Sequence, residues 1–121
     1  LEKISNAQII LLGSESGFKG SYDLSYALAK SSLKMYVKQR QVKVNQKLLL
    51  ISPSTIDDFG MTLRRKDFER LELYRAKHPK KRFLESEELA CMIDFLFKFS
   101  VYLTNTEIEL NGGKFSLMKY S

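Results

Sequence analysis

The chain has 121 residues, of which 44% are hydrophobic and 28% are charged, and its formal net charge is +6. This composition is that of one globular domain, and it excludes a disordered, collagen-like or coiled-coil chain. Cys91 is the only cysteine, so an internal disulfide is excluded and a reducing, cytoplasmic location is expected. The apolar runs are far shorter than the ~20 residues that span a bilayer, so no membrane partner is expected.

A run of apolar residues at positions 9–12 is stopped by glycines and small polar residues, which is typical of a buried strand that ends in a loop. Ser14 falls at the end of this strand. Apolar residues then recur at helical spacing along two stripes of one long helix. The first stripe consists of Tyr22, Tyr26, Ala29, Leu33, Tyr36 and Val37, and the second of Leu24, Leu28 and Met35. We expect one stripe to pack on the sheet and the other on a neighbouring element or a partner chain.

The second half of the sequence continues this alternation of strands and helices. The run "KLLLIS" has no polar alternation, as expected of a parallel strand covered on both faces, and Pro53 ends it. A basic helical stretch follows and stops at Pro79. In the next helix Ser86 is the expected N-cap, and Cys91 lies within the apolar periodicity as an expected core residue. The apolar face of this helix is Leu89, Met92, Ile93, Leu96 and Phe97, and "TEIELNGG" supplies a last strand and a glycine turn.

The order strand, helix, strand, helical insert, helix, strand predicts an α/β fold with a parallel sheet between two layers of helices. In such three-layer, Rossmann-like sheets the working groups lie beyond the carboxyl ends of the strands. Ser14 and residues 53–56 fall at these ends.

Tyr26 and Lys30 stand four positions apart, so a helix brings them onto one face, one turn from each other. A free phenol keeps its proton up to a pKa of about 10, and a nearby ammonium lowers that pKa. A tyrosine in this setting acts as a general acid or base near neutral pH. The spacing alone is a weak signal, because a chain with so many tyrosines and lysines often contains it by chance.

Several segments together resemble the C-terminal half of a short-chain dehydrogenase/reductase, from the family's fifth strand onward. "LLGSESG" is similar to the family's strand end with its serine, "YALAK" to its Tyr-x-x-x-Lys, and "LLLISPSTI" to its strand leading to Pro-Gly. "HPKKRFLESEELACMIDFL" is similar to the stretch before and through the last long helix, and "IELNGG" to the terminal strand and Asp-Gly-Gly. The resemblance runs over nearly the whole chain.

The resemblance implies an NAD(P)-dependent oxidoreductase that interconverts a carbonyl and an alcohol by hydride transfer. Tyr26 would be the catalytic acid/base, Lys30 would lower its pKa and hold the nicotinamide ribose, and Ser14 would bind the reacting oxygen. The residues expected to contact NAD or NADP are Tyr26, Lys30, Pro53, Ser54 and Ile56. Ser54 replaces the glycine of the family's Pro-Gly. No metal is expected, because one histidine and one cysteine form no metal-binding cluster.

The glycine-rich turn that binds pyrophosphate in a dinucleotide-binding fold is absent from the sequence. We therefore expect residues 1–121 to be the C-terminal catalytic half of such a domain, inactive alone, with a missing N-terminal half or further copies of the chain as partners. The alternative is a dehydrogenase-like binding or scaffold domain without catalysis. An open first strand and the second apolar stripe of the long helix predict that the chain alone is not a stable monomer.

Basic residues concentrate at positions 62–83, with nine Lys or Arg against three Asp or Glu. A solvated helix face is the commonest cause of such a cluster. In the family that the sequence resembles, this region covers the substrate. A second interpretation is therefore that the cluster binds an anionic substrate, such as a 3-oxoacyl group linked to an acyl carrier. Nucleic-acid binding is the third and least favoured, because aromatic residues do not interleave with the charges and no recognised motif is present.

Overall fold

The computed structural model describes residues 6–13, 24–54, 56 and 65–118. Its strands and helices are, in chain order, β1 (Gln8–Leu12), α1 (Leu24–Gln39), β2 (Lys47–Pro53), α2 (Arg65–Lys77), α3 (Ser86–Lys98) and β3 (Thr106–Leu110). This is the order of strands and helices that the sequence predicts. Among the described residues, no helix combines the length and the apolar character that crossing a bilayer requires.

The three strands form one parallel sheet in the order β1-β2-β3. Leu12 of β1 lies opposite Ile51 of β2, and Pro53 of β2 lies opposite Leu110 of β3. All three strands therefore end on the same side of the sheet, which is called the carboxyl edge below.

Strand β2 is the centre of the fold, because residues 47–52 are buried and the strand is paired on both sides. Two apolar clusters cover its two faces. One cluster contains Leu48 and Leu50 with Val37 of α1, and the other contains Leu49 and Ile51 with Leu96 of α3. Helices thus lie on both faces of a parallel sheet, which confirms the predicted three-layer α/β fold and explains the unbroken apolar run of this strand.

Helix α1 packs on the sheet with a face that matches the predicted one in part. Val37 of the predicted stripe is buried and Leu33 packs against the same cluster, whereas Tyr36 is 48% exposed and Ala27, which is outside the stripe, is buried. The difference arises because Lys30 and Lys34 share the sheet-facing side of the helix and reach oxygen atoms of the sheet. A stripe drawn from apolar residues alone is therefore rotated away from the true contact. The residues of the second predicted stripe, Leu24, Leu28 and Met35, are each at least 58% exposed.

The start of α3 is capped by Glu85, one residue before the predicted N-cap Ser86. The Glu88 carboxylate accepts the Glu85 backbone N–H at 3.1 Å and two hydrogen bonds from Arg82 at 2.5 and 2.9 Å. The hydrogen bond from Arg82, followed by that from the Glu85 backbone, lowers the pKa of Glu88 to about 2. The interaction therefore stabilises this helix start above the ordinary pKa of glutamate and is lost as the pH falls towards 2.

Cys91 is exposed, so the prediction that it belongs to the core is wrong. It stands five residues before the buried Leu96, which places it about 140° around the helix from the face that meets the sheet. Phe97, about 100° from Leu96, was also assigned to the apolar face but is 43% exposed. The remaining predicted residues of that face, Leu89, Met92 and Ile93, pack against the core.

His78 follows α2, and its side chain also binds the turn after β3. Its Nδ1 accepts the backbone N–H of Lys80 at 3.0 Å, so in the neutral ring Nε2 donates to the Asn111 carbonyl at 2.9 Å. Gly112, in the same turn, has a φ of +63°, and a Cβ there would lie 2.6 Å from His78 Cε1. The end of α2 and the end of β3 are thus held together.

Lys47, the first residue of β2, is fully buried. Its ammonium donates to the carbonyl of Leu96, near the end of α3, and to that of Phe99 at 2.9 Å. Leu96 lies in the last turn of the helix and Phe99 is its C-cap, where carbonyls have no partner within the helix. Burial lowers the pKa of Lys47, because desolvation penalises its charged form. The side chain therefore ties the start of the central strand to the end of the helix that covers it.

We predict that Lys47→Met destabilises the protein by about 1–3 kcal/mol, because one buried and one partly buried carbonyl lose their donor. Urea unfolding followed by circular dichroism measures the change. The matched control is Lys98→Met, since Lys98 pairs with Asp94 at 2.9 Å on the surface of the same helix and such pairs contribute about 0–1 kcal/mol. Equal stability of Lys47→Met and the unmodified protein would contradict the role assigned to this lysine.

Candidate functional site

The carboxyl edge of the sheet is the candidate site, because the loops that follow the neighbouring strands β1 and β2 both begin there. The Gly13 N–H donates to the Ile51 carbonyl at 2.7 Å, and the Ser54 N–H donates to the Leu110 carbonyl at 2.9 Å. Each of these bonds extends the parallel ladder by one residue beyond a strand. The first residues of both loops are therefore held by the sheet.

Lys30 is the predicted catalytic residue whose side chain the structure describes, and it points to this edge. It lies on α1, and its Nζ is 3.4 Å from the carbonyl oxygen of Leu12, the last residue of β1. Tyr26 lies one turn earlier on the same helix, and its side chain is outside the described part of the structure. Ser14, two positions after Leu12, is also outside the described residues. The helix and the strand end that would carry the predicted pair and the predicted serine thus meet at Lys30.

Gly13 allows β1 to leave the sheet beside β2. A Cβ atom at this position would lie 2.8 Å from Ser52 Oγ and 3.0 Å from a methyl carbon of Leu50. Both distances are shorter than ordinary carbon contacts. The lack of a side chain at Gly13, the residue before Ser14 in the sequence, therefore lets the end of β1 lie against β2.

The structure adds three residues that the sequence analysis did not single out. Glu107 of β3 accepts a hydrogen bond from Ser52 Oγ at 2.6 Å through one oxygen, and its other oxygen lies 3.3 Å from Lys34 Nζ of α1. The signal in the sequence was the alternation in "TEIEL", whose glutamates share one face of β3. In an antiparallel strand that face would be solvated, but here α1 covers it at Glu107, whereas Glu109 is exposed.

The residues predicted to contact the cofactor after β2 also lie at the carboxyl edge. Pro53 ends β2, Ser54 follows it, and Ile56 forms an isolated parallel bridge with Leu84 just before α3. The Ser54 N–H is already used by the sheet, and proline has no N–H to donate. A contact from Ser54 to a cofactor would therefore come from its side chain or its carbonyl.

The basic segment at residues 62–83 is described in part, and several of its cations bind groups of the chain itself. Arg75 pairs with Glu72 and stacks on the Phe83 ring at 5.0 Å. Lys81 donates to the Ala76 carbonyl at 2.7 Å, and Arg82 pairs with Glu88. These contacts favour the interpretation of this part of the segment as a solvated helix face. Within the described ranges, no group of three or more His, Cys, Asp or Glu could hold a metal ion.

No protein-family model matches the sequence, and no curated protein matches it significantly. Solved structures do match the fold over almost the whole chain. A short-chain dehydrogenase/reductase from Brucella melitensis, described as a glucose/ribitol dehydrogenase, is 24% identical with a TM-score of 0.74, over 93% of this chain and 46% of its own. A short-chain dehydrogenase family protein from Francisella tularensis is 20% identical with a TM-score of 0.75, over 93% of this chain and 52% of its own.

An oxidoreductase of the short-chain dehydrogenase/reductase family from Burkholderia thailandensis is 18% identical with a TM-score of 0.76, over 91% of this chain and 45% of its own. The chain thus spans about half the length of these structures. Its three-stranded parallel sheet between helices has the α/β, Rossmann-like fold of short-chain dehydrogenases/reductases.

Proposed function

We propose that the chain is the C-terminal catalytic half of an NAD(P)-dependent short-chain dehydrogenase/reductase, which interconverts a carbonyl and an alcohol. The observation that carries this proposal is the position of Lys30. The Lys30 ammonium lies 3.4 Å from the carbonyl oxygen of Leu12, at the carboxyl end of β1. Lys30 stands one helical turn from Tyr26, and Leu12 stands two residues before Ser14 in the sequence. This is where a parallel α/β sheet places its working groups.

In this proposal each residue has one task at the reacting oxygen of the substrate. Tyr26 gives its phenolic proton to the carbonyl oxygen during reduction and takes it back from the alcohol during oxidation. Lys30 lowers the pKa of that phenol through its positive charge. Ser14 donates a hydrogen bond that orients the oxygen. The bound nicotinamide supplies or accepts the hydride.

The residues at the carboxyl edge fit one end of a dinucleotide. The Lys30 ammonium can donate to ribose hydroxyls at the end of β1. Pro53 ends the neighbouring strand β2, and Ser54 and Ile56 follow it. The sequence has no glycine-rich turn for the pyrophosphate, so in this proposal a separate nucleotide-binding half supplies that contact. Residues 1–121 then form one half of a larger domain.

The basic segment extends the proposal to the substrate. Lys77 and Lys80 at the end of α2 are exposed, and they lie in the region that leads from the β2 loop to α3. A positive surface there favours an anionic substrate, such as a 3-oxoacyl group on an acyl carrier. Affinity for such a substrate would fall as the salt concentration rises.

A non-catalytic binding or scaffold domain is the second candidate function. It is favoured by the exposed stripe on α1, Leu24, Leu28 and Met35, which presents apolar surface on the side opposite the sheet. The same stripe serves equally as a contact between copies of the chain or with its proposed N-terminal half. Binding of NADH or NADPH by the full-length gene product separates the candidates, since only the oxidoreductase requires it.

We predict that Tyr26→Phe in the full-length protein lowers kcat by at least ~10², because phenylalanine has no proton to transfer. Nicotinamide absorbance with a panel of carbonyl substrates measures the rate. The matched control is Tyr36→Phe, which removes a hydroxyl from the same helix at a position that is 48% exposed and should leave kcat unchanged. Turnover by Tyr26→Phe at the unmodified rate would rule out the proposed acid/base.

We predict that Gly13→Ala lowers turnover about tenfold by displacing Ser14, and destabilises the protein by about 1–3 kcal/mol through overpacking. The new Cβ would press on Ser52 Oγ and Leu50. The double variant Gly13→Ala/Ser52→Ala removes one of these contacts but also the hydrogen bond from Ser52 to Glu107, so its loss of stability should be smaller than the sum of the losses of the two single variants. If Gly13→Ala is as stable and as active as the unmodified protein, the close approach of β1 to β2 has no functional role.

A further inference from the structure

Glu107 places a carboxylate between the sheet and α1. Its side chain is 10% exposed, and each of its oxygens has a partner in a different element. Oε2 accepts the Ser52 hydroxyl at 2.6 Å, and Oε1 lies 3.3 Å from Lys34 Nζ. One side chain on β3 therefore joins β2 and α1.

Packing alone does not require a carboxylate here. Leu50, directly opposite Glu107 in the register of β2 and β3, belongs to the apolar cluster under α1. Burying a carboxylate costs desolvation energy, and replacing a buried ion pair by well-packed apolar side chains is often neutral or stabilising. The distinctive contribution of Glu107 is thus the geometry that its two directed contacts fix.

Both partners of Glu107 adjoin the proposed catalytic residues. Lys34 stands one helical turn after Lys30, whose Nζ is 3.4 Å from the last carbonyl of β1. Ser52 Oγ occupies the space beside Gly13, where a Cβ would be only 2.8 Å away. Glu107 is therefore linked indirectly to the end of β1 through two residues, Lys34 on α1 and Ser52 on β2.

We propose that Glu107 is a positioning residue of the active site, which fixes α1, with Tyr26 and Lys30, relative to the end of β1 that leads to Ser14. It acts through Lys34 and Ser52 and does not touch the substrate. This role rests on the oxidoreductase function proposed above. Losing the two contacts lets the helix and the strand end shift by fractions of an ångström, and small misplacements of reacting groups lower rates steeply.

The test compares Glu107→Leu with Glu109→Leu in the full-length protein. Glu109 lies on the same face of β3 but is exposed, so it is a matched control for the loss of a glutamate. Glu107→Leu should melt within a few degrees of the unmodified protein, since leucine fills the space beside Leu50. It should nevertheless lower kcat about tenfold to a hundredfold, with little change in the substrate KM, whereas Glu109→Leu leaves kcat unchanged.

A second measurement does not depend on turnover. Hydrogen exchange of the Gly13 amide, which donates to the Ile51 carbonyl at 2.7 Å, reports the order of the strand end. In Glu107→Leu this amide should exchange at least several times faster, while amides in the centre of β2 keep their protection. Lys34→Met should reproduce part of the loss of kcat, and the double variant Glu107→Leu/Lys34→Met should be no worse than Glu107→Leu, because both residues act through one contact.

Full kcat and unchanged Gly13 exchange in Glu107→Leu would overturn the positioning role. A loss of kcat that is accompanied by a large loss of folding stability would also overturn it, because the role of Glu107 would then be structural only. The outcome for Tyr26→Phe separates this failure from failure of the proposed function. If Tyr26→Phe is inactive while Glu107→Leu is fully active, only the positioning role fails; if Tyr26→Phe is fully active, the proposed function fails.

Discussion

The burial of β2 on both faces and both edges is the constraint on which the rest of the structure depends. An apolar strand of this kind is stable only between two layers of helix and between two neighbouring strands, so it fixes where β1, β3, α1 and α3 lie. Its first residue must also find partners away from water, and Lys47 does so by donating to the carbonyls at the end of α3. The same strand aligns the loops at the carboxyl edge, because the hydrogen bonds of Gly13 and Ser54 continue its two ladders.

Polar groups at the interface between α1 and the sheet connect this core to the candidate site. Lys30 and Lys34 lie on successive turns of one helix. Lys30 contacts the carbonyl oxygen of Leu12 on β1, and Lys34 contacts the carboxylate of Glu107 on β3. Lys30 contacts the end of β1, where the proposed chemistry takes place. Lys34 pairs with Glu107 between α1 and the sheet. The orientation of α1 is therefore fixed by directed contacts in addition to apolar packing, as the proposed reacting groups on this helix would require.

The strands and helices were predicted correctly from the sequence, whereas the environments of some residues, above all those with polar contacts, were not. The run "KLLLIS" predicts a central parallel strand because no other environment buries every side chain. The predicted face of α1 is right at Leu33 and Val37 but wrong at Tyr36, because Lys30 and Lys34 point towards the sheet, which an apolar pattern cannot show. Cys91 was placed in the core by its apolar neighbours, although its angle from Leu96 turns it outward. Glu107 was missed because its role depends on pairing partners, Ser52 and Lys34, that are far away in the sequence.

The proposal that the chain is half of a larger domain requires the sheet to continue across β1. Within the described residues β1 pairs with β2 alone. Since the Gly13 N–H faces β2, the alternation of a strand turns the N–H groups of Ile9 and Leu11 to β2 and those of Ile10 and Leu12 to the other edge.

Residue-resolved hydrogen exchange on the full-length protein tests directly whether another strand pairs with β1. If another strand pairs with β1, the amides of Ile10 and Leu12 will be protected as strongly as those of Ile9 and Leu11. Rapid exchange at Ile10 and Leu12, with protection at Ile9 and Leu11, would show that β1 is an edge strand and would contradict the half-domain proposal.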